Sequence, residues 1–175
     1  MAVNLFAPKM QALLDCVTAA LDDADAPVAS SFLAPGGTPA WDNCCENGGQ
    51  AWVRLVQAYP SAGTGGAAFP GQDTRPRCHP NLLAARLEVG VLRCSQPFSD
   101  EQGTPPTDAR KTLEGTATTQ DASTLLEAIL CCFVATPGLS AWVIDNWTPL
   151  GPNGGCVGGA WQLVIGVPSC ACPEV

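Results

Sequence analysis

Ala51-Trp52-Val53-Arg54-Leu55-Val56-Gln57-Ala58-Tyr59 and Leu83-Ala84-Ala85-Arg86-Leu87-Glu88-Val89-Gly90-Val91-Leu92-Arg93-Cys94 are two apolar runs separated by Gly/Pro-rich chain. Trp142-Val143-Ile144-Asp145-Asn146-Trp147 and Ala160-Trp161-Gln162-Leu163-Val164-Ile165-Gly166-Val167 repeat the arrangement near the end. Such runs, rich in β-branched and aromatic residues and bounded by Gly, Pro and Asn, read as strands. In the first, Trp52, Arg54, Val56 and Ala58 alternate with Val53, Leu55, Gln57 and Tyr59. Both sets are mostly apolar, so both faces should be partly covered. In the second, Leu87, Val89, Val91 and Arg93 alternate with Arg86, Glu88, Gly90 and Leu92. Antiparallel pairing of these two strands would carry Cys94 toward Cys44 and Cys45.

Outward from the strands, Ala7 to Leu21 places Met10, Leu13, Leu14, Val17 and Leu21 at helical spacing, with Pro8 suited to the first turn. Asp22, Asp23 and Asp25 should lie in water beyond its last turn, because acids oppose the helix dipole there. A second helix is predicted over Asp121–Phe133, where Asp121 and Thr124-x-x-Glu127 offer N-terminal caps. It could begin near Thr107, with a kink or break around Gly115 and Thr116-Ala117-Thr118-Thr119. Pro27–Gly49 reads as a linker, and Thr148–Gly159 as a turn of Pro, Gly and Asn. The predicted order is helix-strand-strand-helix-strand-strand. That is one α+β domain over residues 1–175, a mostly antiparallel sheet with helices packed on one face. Long loops fall at 60–80 and 95–106, and a short tail at 168–175.

The chain's 175 residues suit one domain with a real core. Charged residues make up 14%, and the net charge is −8. An acidic chain of this kind does not grip nucleic acid through phosphate contacts, which need clustered Lys and Arg. No stretch approaches the roughly 20 apolar residues of a membrane span. The N-terminal residues lack the basic and apolar blocks of a secretion signal, so synthesis and folding in the cytosol are expected.

Catalytic chemistry finds little to work with. His79 is the single histidine, and it lies in a Pro-rich loop rather than beside a nucleophile and an orienting acid. Gly63-Thr64-Gly65-Gly66 lacks the Lys-Ser/Thr of a phosphate cradle. Asp22, Asp23 and Asp25 lack calcium-loop spacing and read as a solvated turn. No cofactor is called for. The 10 cysteines carry more weight. Cys44, Cys45, Cys78, Cys94, Cys156, Cys170 and Cys172 are disulfide candidates. In an adjacent pair, one Cys is expected in the core while the other meets a distant partner. Cys16 reads as core. Cys44, Cys45, Cys78, His79 and Cys94 supply enough zinc ligands, but without the spacing of a zinc knuckle. Buried thiols mixed with disulfides are the first expectation, metal the second, and redox catalysis a remote third.

Several blocks together resemble the small head-to-tail connector proteins of long-tailed actinobacteriophages, tail terminators in particular. They are Cys44-Cys45 with Gly49; Trp52-Val53-Arg54-Leu55 and Tyr59-Pro60; Leu87 to Cys94; Ala128-x-x-Cys131-Cys132-Phe133; and Trp147-x-Pro149-x-Gly151-Pro152-x-Gly154-Gly155-Cys156-Val157-Gly158-Gly159-x-Trp161. The resemblance implies a non-enzymatic virion protein. It would form a hexameric ring that caps the tail tube and joins it to the connector or stopper of the filled head. DNA would pass through the lumen without specific binding, and the acidic balance suits such a lumen. The loops Pro60–Pro80 and Ser95–Pro106 would supply arms between subunits, with Phe69, Arg75, Arg77, His79 and Phe98 as interface candidates. Alternatives are a head-side stopper or adaptor and, from another class, a zinc or thiol enzyme. The implied passage from reducing host cytoplasm to free virion also implies at least one disulfide, joining Cys94 to Cys44 or Cys45 and contributing roughly 2–4 kcal/mol.

Overall fold

The computed structural model describes residues 4–37, 44–45, 48–61, 81–95, 105–135, 142–153 and 155–169. In chain order these form α1 (Ala7–Asp23), β1 (Ser30–Leu33), β2 (Gln50–Ser61), β3 (Asn81–Cys94), α2 (Asp108–Ala135), β4 (Trp142–Asn153) and β5 (Cys156–Ser169). The strands make one five-stranded sheet in the order β1-β2-β3-β5-β4. β1 runs parallel to β2, and every other neighbouring pair is antiparallel. The fold is α+β with a mixed sheet.

α1 begins where Asn4 Oδ1 accepts the Phe6 and Ala7 N–H groups at 3.2 and 3.0 Å, donors that the helix itself leaves unpaired. Met10, Leu13, Leu14, Val17 and Leu21 turn inward. They meet one face of the sheet: Ala51 and Val53 of β2, Ala85, Leu87, Val89 and Val91 of β3, Leu163 and Ile165 of β5. Leu125, Ala128, Ile129, Cys132 and Phe133 of α2 complete that core. Both helices therefore cover the same face. Asp22 and Asp23 fall within the last turn of α1 rather than beyond it, but they are exposed, as their charge demands.

The opposite face holds a smaller core of Trp52, Leu92, Cys156 and Ala160, covered by Ala34 and Cys44. Trp52 is fully buried, and its ring lies over Gly90. A Cβ at that glycine would stand 2.3 Å from the indole. Gly90 is thus a matter of space: any side chain there displaces the largest residue of this core.

Four expectations need correction. First, Pro27–Gly49 contains strand β1, whose partners run from Ser30↔Gln50 to Leu33↔Val53. A four-residue edge strand reading Ser-Ser-Phe-Leu carries too little alternation to be seen in sequence. Second, the alternation of β2 does not run through. A register shift between Leu55 and Gln57 pairs Leu55 with Leu87 but Gln57 with Arg86, so Val56 is an extra residue and lies 40% exposed. Beyond the bulge, Gln57 takes the face of Trp52 and Arg54.

Third, Thr148–Gly159 is not a turn. β4 continues to Asn153 and β5 starts at Cys156. Pro149 is tolerated because β4 is an edge strand with one unpaired side. Gly159 has no Cβ, which leaves room for Trp147 to lie across it. Trp147 then meets Trp161, with ring centroids 5.8 Å apart. Fourth, α2 is continuous over 28 residues. Thr112, Thr116 and Thr118 return their hydroxyls to carbonyls four residues back, which satisfies these side chains inside a helix. The N-terminal cap is Thr107, whose Oγ1 accepts the Arg110 N–H at 3.3 Å. Asp121 and Thr124, expected as caps, are buried mid-helix instead.

Candidate functional site

The densest chemistry lies at the end of the sheet where β3 stops and β5 starts. Cys94 and Cys156 are direct cross-strand partners. They do not bridge each other. Cys156 joins Cys44 and Cys94 joins Cys45, with Cα–Cα distances of 5.8 and 4.3 Å. The sulfurs of Cys44 and Cys45 stand 3.9 Å apart, so adjacent residues staple two neighbouring strands from one turn. The expectation that one member of an adjacent pair would be a core thiol fails at Cys44-Cys45, because both reach distant partners. The bridge from Cys94 to one of them is present. At Cys131-Cys132 the pair divides: Cys132 bridges Cys16 across the two helices, and Cys131 is an exposed free thiol. Cys16, read as core, is therefore cross-linked.

The weak zinc set does not assemble in this state. Cys44, Cys45 and Cys94 are in disulfides, while Cys78 and His79 lie outside the described residues, as do Cys170 and Cys172. Among the described residues no group of three or more His, Cys, Asp or Glu is arranged to hold a metal ion. The interface candidates Phe69, Arg75, Arg77, His79 and Phe98 also lie outside the described residues.

Two charged networks went unrecognised in the sequence. Glu88, on the sheet face away from the helices, accepts Arg54 Nε at 2.6 Å and Arg54 Nη2 at 2.8 Å, and Trp52 Nε1 at 3.3 Å. Arg54 Nη1 also donates to the carbonyls of Gly36 and Gly37. The hydrogen bond to Glu88, aided by its charge, holds the Arg54 guanidinium pKa above its ordinary value against the opposing effect of burial. On the helix face, Arg93 grips the Asp121 carboxylate and the carbonyls of Ala26, Pro27 and Gly48. The available signal was an Arg at the same-face end of an apolar strand, a position that demands a partner.

A groove of about 600 Å³ runs between α1 and α2, lined by Cys16, Cys131, Cys132, Asp23 and Glu127 together with Gln120, Thr124 and several alanines. Among the described residues its lining presents one thiol and two carboxylates, and no histidine, lysine or arginine. No helix among the described residues is long and apolar enough to cross a membrane.

No protein-family model matches the chain, and no curated protein matches its sequence.

Proposed function

We propose that this chain is a structural subunit of a phage head–tail joint, a tail terminator that closes the tail tube as a hexameric ring and presents it to the head connector while DNA passes through the lumen. The observation that carries the reading is how the terminator-like sequence blocks fall in space. Trp52–Leu55 lies in β2, Leu87–Cys94 in β3, Cys131–Phe133 in α2, and Trp147 to Trp161 spans the β4–β5 pair. Blocks far apart in the chain are thus adjacent elements of one sheet and its covering helix. The three bridges suit a particle that leaves a reducing cell and must then persist unaided. Net charge −8 suits a wall past which DNA slides rather than sticks.

The test is mass under native conditions, by light scattering or native mass spectrometry, with and without the tail-tube subunit of the same phage. A hexamer, or a monomer that becomes six-fold on tube ends, supports the reading. A twelve-fold ring moves the chain to a head-side adaptor. A monomer indifferent to tubes rejects it.

A further inference from the structure

The first half of α2 has little to hold it. α2 runs for 28 residues and α1 for 17, about 42 and 26 Å. Arg93 joins Asp121 to the carbonyls of Ala26 and Pro27 just after α1. α1 therefore ends level with Asp121, and residues 108–120 of α2 run on past it. Along that stretch Glu114 and Thr118 are half-buried and every other residue is exposed. Ser95 Oγ donates to Glu114 at 3.0 Å and marks the inner side. Gly115, Thr112, Thr116, Thr118 and Thr119 are poor helix formers. A helix this short is marginal in water without tertiary cover. Leu113, on its outer surface, is 61% exposed.

The second half of α2 carries the complement. There the groove between the helices is walled by Ala19, Ala20 and Ala24 from α1 and its cap and by Ala128 from α2, with Asp23 and Glu127 as its charged groups. Small side chains on both walls leave room for the ridge of a third helix. An occupant that matches it brings an apolar side chain and a cation. Among the described residues the exposed large apolar side chains are Val56, Leu113, Leu130 and Val134. Leu130 and Val134 belong to residues 121–135, which contain no Lys or Arg. Val56 sits in a strand bulge, where Arg54 is committed to Glu88 and Arg86 has its Nε buried. Leu113 shares a helix face with Arg110, three residues before it, and Ala117, four after. The Arg110 side chain is 45% exposed and spends Nε on Glu114, a surface pair of little worth. Its guanidinium has further donors for a second carboxylate. Because α2 is one unbroken helix, its first half cannot fold back into the groove beside its second.

We propose that the first half of α2 is an arm that docks in the α1–α2 groove of a second copy. Leu113 and Ala117 enter between the alanines, and Arg110 meets Asp23 and Glu127 at the acidic margin. The arm gains the cover that its own chain withholds, and the groove is filled. Each copy carries one arm and one groove, so the contact can pass from copy to copy through unlike surfaces. The contact rests on these two surfaces alone; the ring proposed above is one way for it to close.

Native mass over a concentration series tests this on wild type, Leu113→Gln in the arm, Ala19→Trp in the groove, and a mixture of the two variants. Both substituted residues are exposed, so the melting temperature of the dilute chain should hold. Each variant alone should associate about tenfold or more weakly than wild type. The mixture should regain association, because the intact arm of the Ala19→Trp chain fits the intact groove of the Leu113→Gln chain. Arg110→Gln and Ala19→Gln are the gentler substitutes should either variant disturb folding. In wild type, amide hydrogen exchange across residues 108–120 should slow on association. Unchanged association in either variant, or equally fast exchange in both states, overturns the docking. Loss in both variants without recovery in the mixture overturns the pairing of arm with groove. A wild-type chain that stays monomeric at every concentration, alone and with tail-tube ends, overturns the contact altogether. Two-copy assemblies that need both sites yet ignore tube ends keep the contact and reject only the terminator reading.

Discussion

Arg93 holds Asp121 across the sheet–helix interface through two hydrogen bonds of 3.0 and 2.8 Å. The remaining donors of the guanidinium go to the carbonyls of Ala26 at 2.7 Å, Pro27 at 2.7 Å and Gly48 at 2.5 Å. One side chain thereby ties the end of β3 to α2, to the turn after α1 and to the approach to β2. The Asp121 side chain is only 4% exposed and that of Arg93 18%, so the carboxylate in particular cannot fall back on water.

The first prediction follows from that burial. Arg93→Ala leaves Asp121 buried and uncompensated and should destabilise the chain by about 3–5 kcal/mol. Arg93→Lys should recover only a minor part, because an ammonium cannot serve a bidentate carboxylate and three carbonyls together. Urea denaturation followed by tryptophan fluorescence checks both. If Lys and Arg prove equivalent, the fork is not what matters.

A second prediction concerns the sulfurs. Peptide mapping of unreduced protein, digested at acidic pH to stop exchange, should return Cys16–Cys132, Cys44–Cys156 and Cys45–Cys94, and neither Cys44–Cys45 nor Cys94–Cys156. Cys131 should be alkylated in the folded state. The loops closed by these bridges span 116, 112 and 49 positions. For loops of this length the chain-entropy argument gives about 4–5 kcal/mol each, an upper figure that is not additive. Reductant should therefore lower the melting temperature clearly. Cys45→Ser with Cys94→Ser should account for a smaller share than Cys16→Ser with Cys132→Ser, because its loop is shorter.

How far the fold could be read in advance depended on signal length. The α1 stripe from Met10 to Leu21 and the alternation from Leu87 to Arg93 are long and regular, and the structure uses both as they read. β1 has only four residues and takes its stability from pairing with β2, which no local pattern reveals. Val56 reads as one more alternating apolar residue, although the bulge makes it the odd one out. The approach of Cys94 to Cys45 followed from connectivity. That of Cys16 to Cys132 depended on how two helices cross, and nothing within either helix encodes that crossing. Arg86 shows the limit most plainly: in sequence it is an ordinary polar position on a strand. Only the pairing of Glu88 with Arg54 leaves it without an ion pair among the described residues.

The last prediction uses two glycines to separate space from conformation. Gly90 lies against the Trp52 indole, where a Cβ would stand 2.3 Å from the ring. The sheet holds both residues in place, as cross-strand partners. Relief therefore requires Trp52 to leave its rotamer or β2 and β3 to part. Gly90→Ala should destabilise by about 1–3 kcal/mol and shift the tryptophan emission. Gly115 lies in the exposed middle of α2, with nothing within 4 Å of an added Cβ. There an alanine lowers the entropy of the unfolded chain without touching a neighbour, so Gly115→Ala should stabilise by about 0.5–1 kcal/mol. Thermal unfolding of the two variants beside wild type reads both signs in one experiment. If Gly90→Ala is neutral, the indole does not rest on that glycine. If Gly115→Ala is destabilising, α2 does not run unbroken through the threonine-rich stretch.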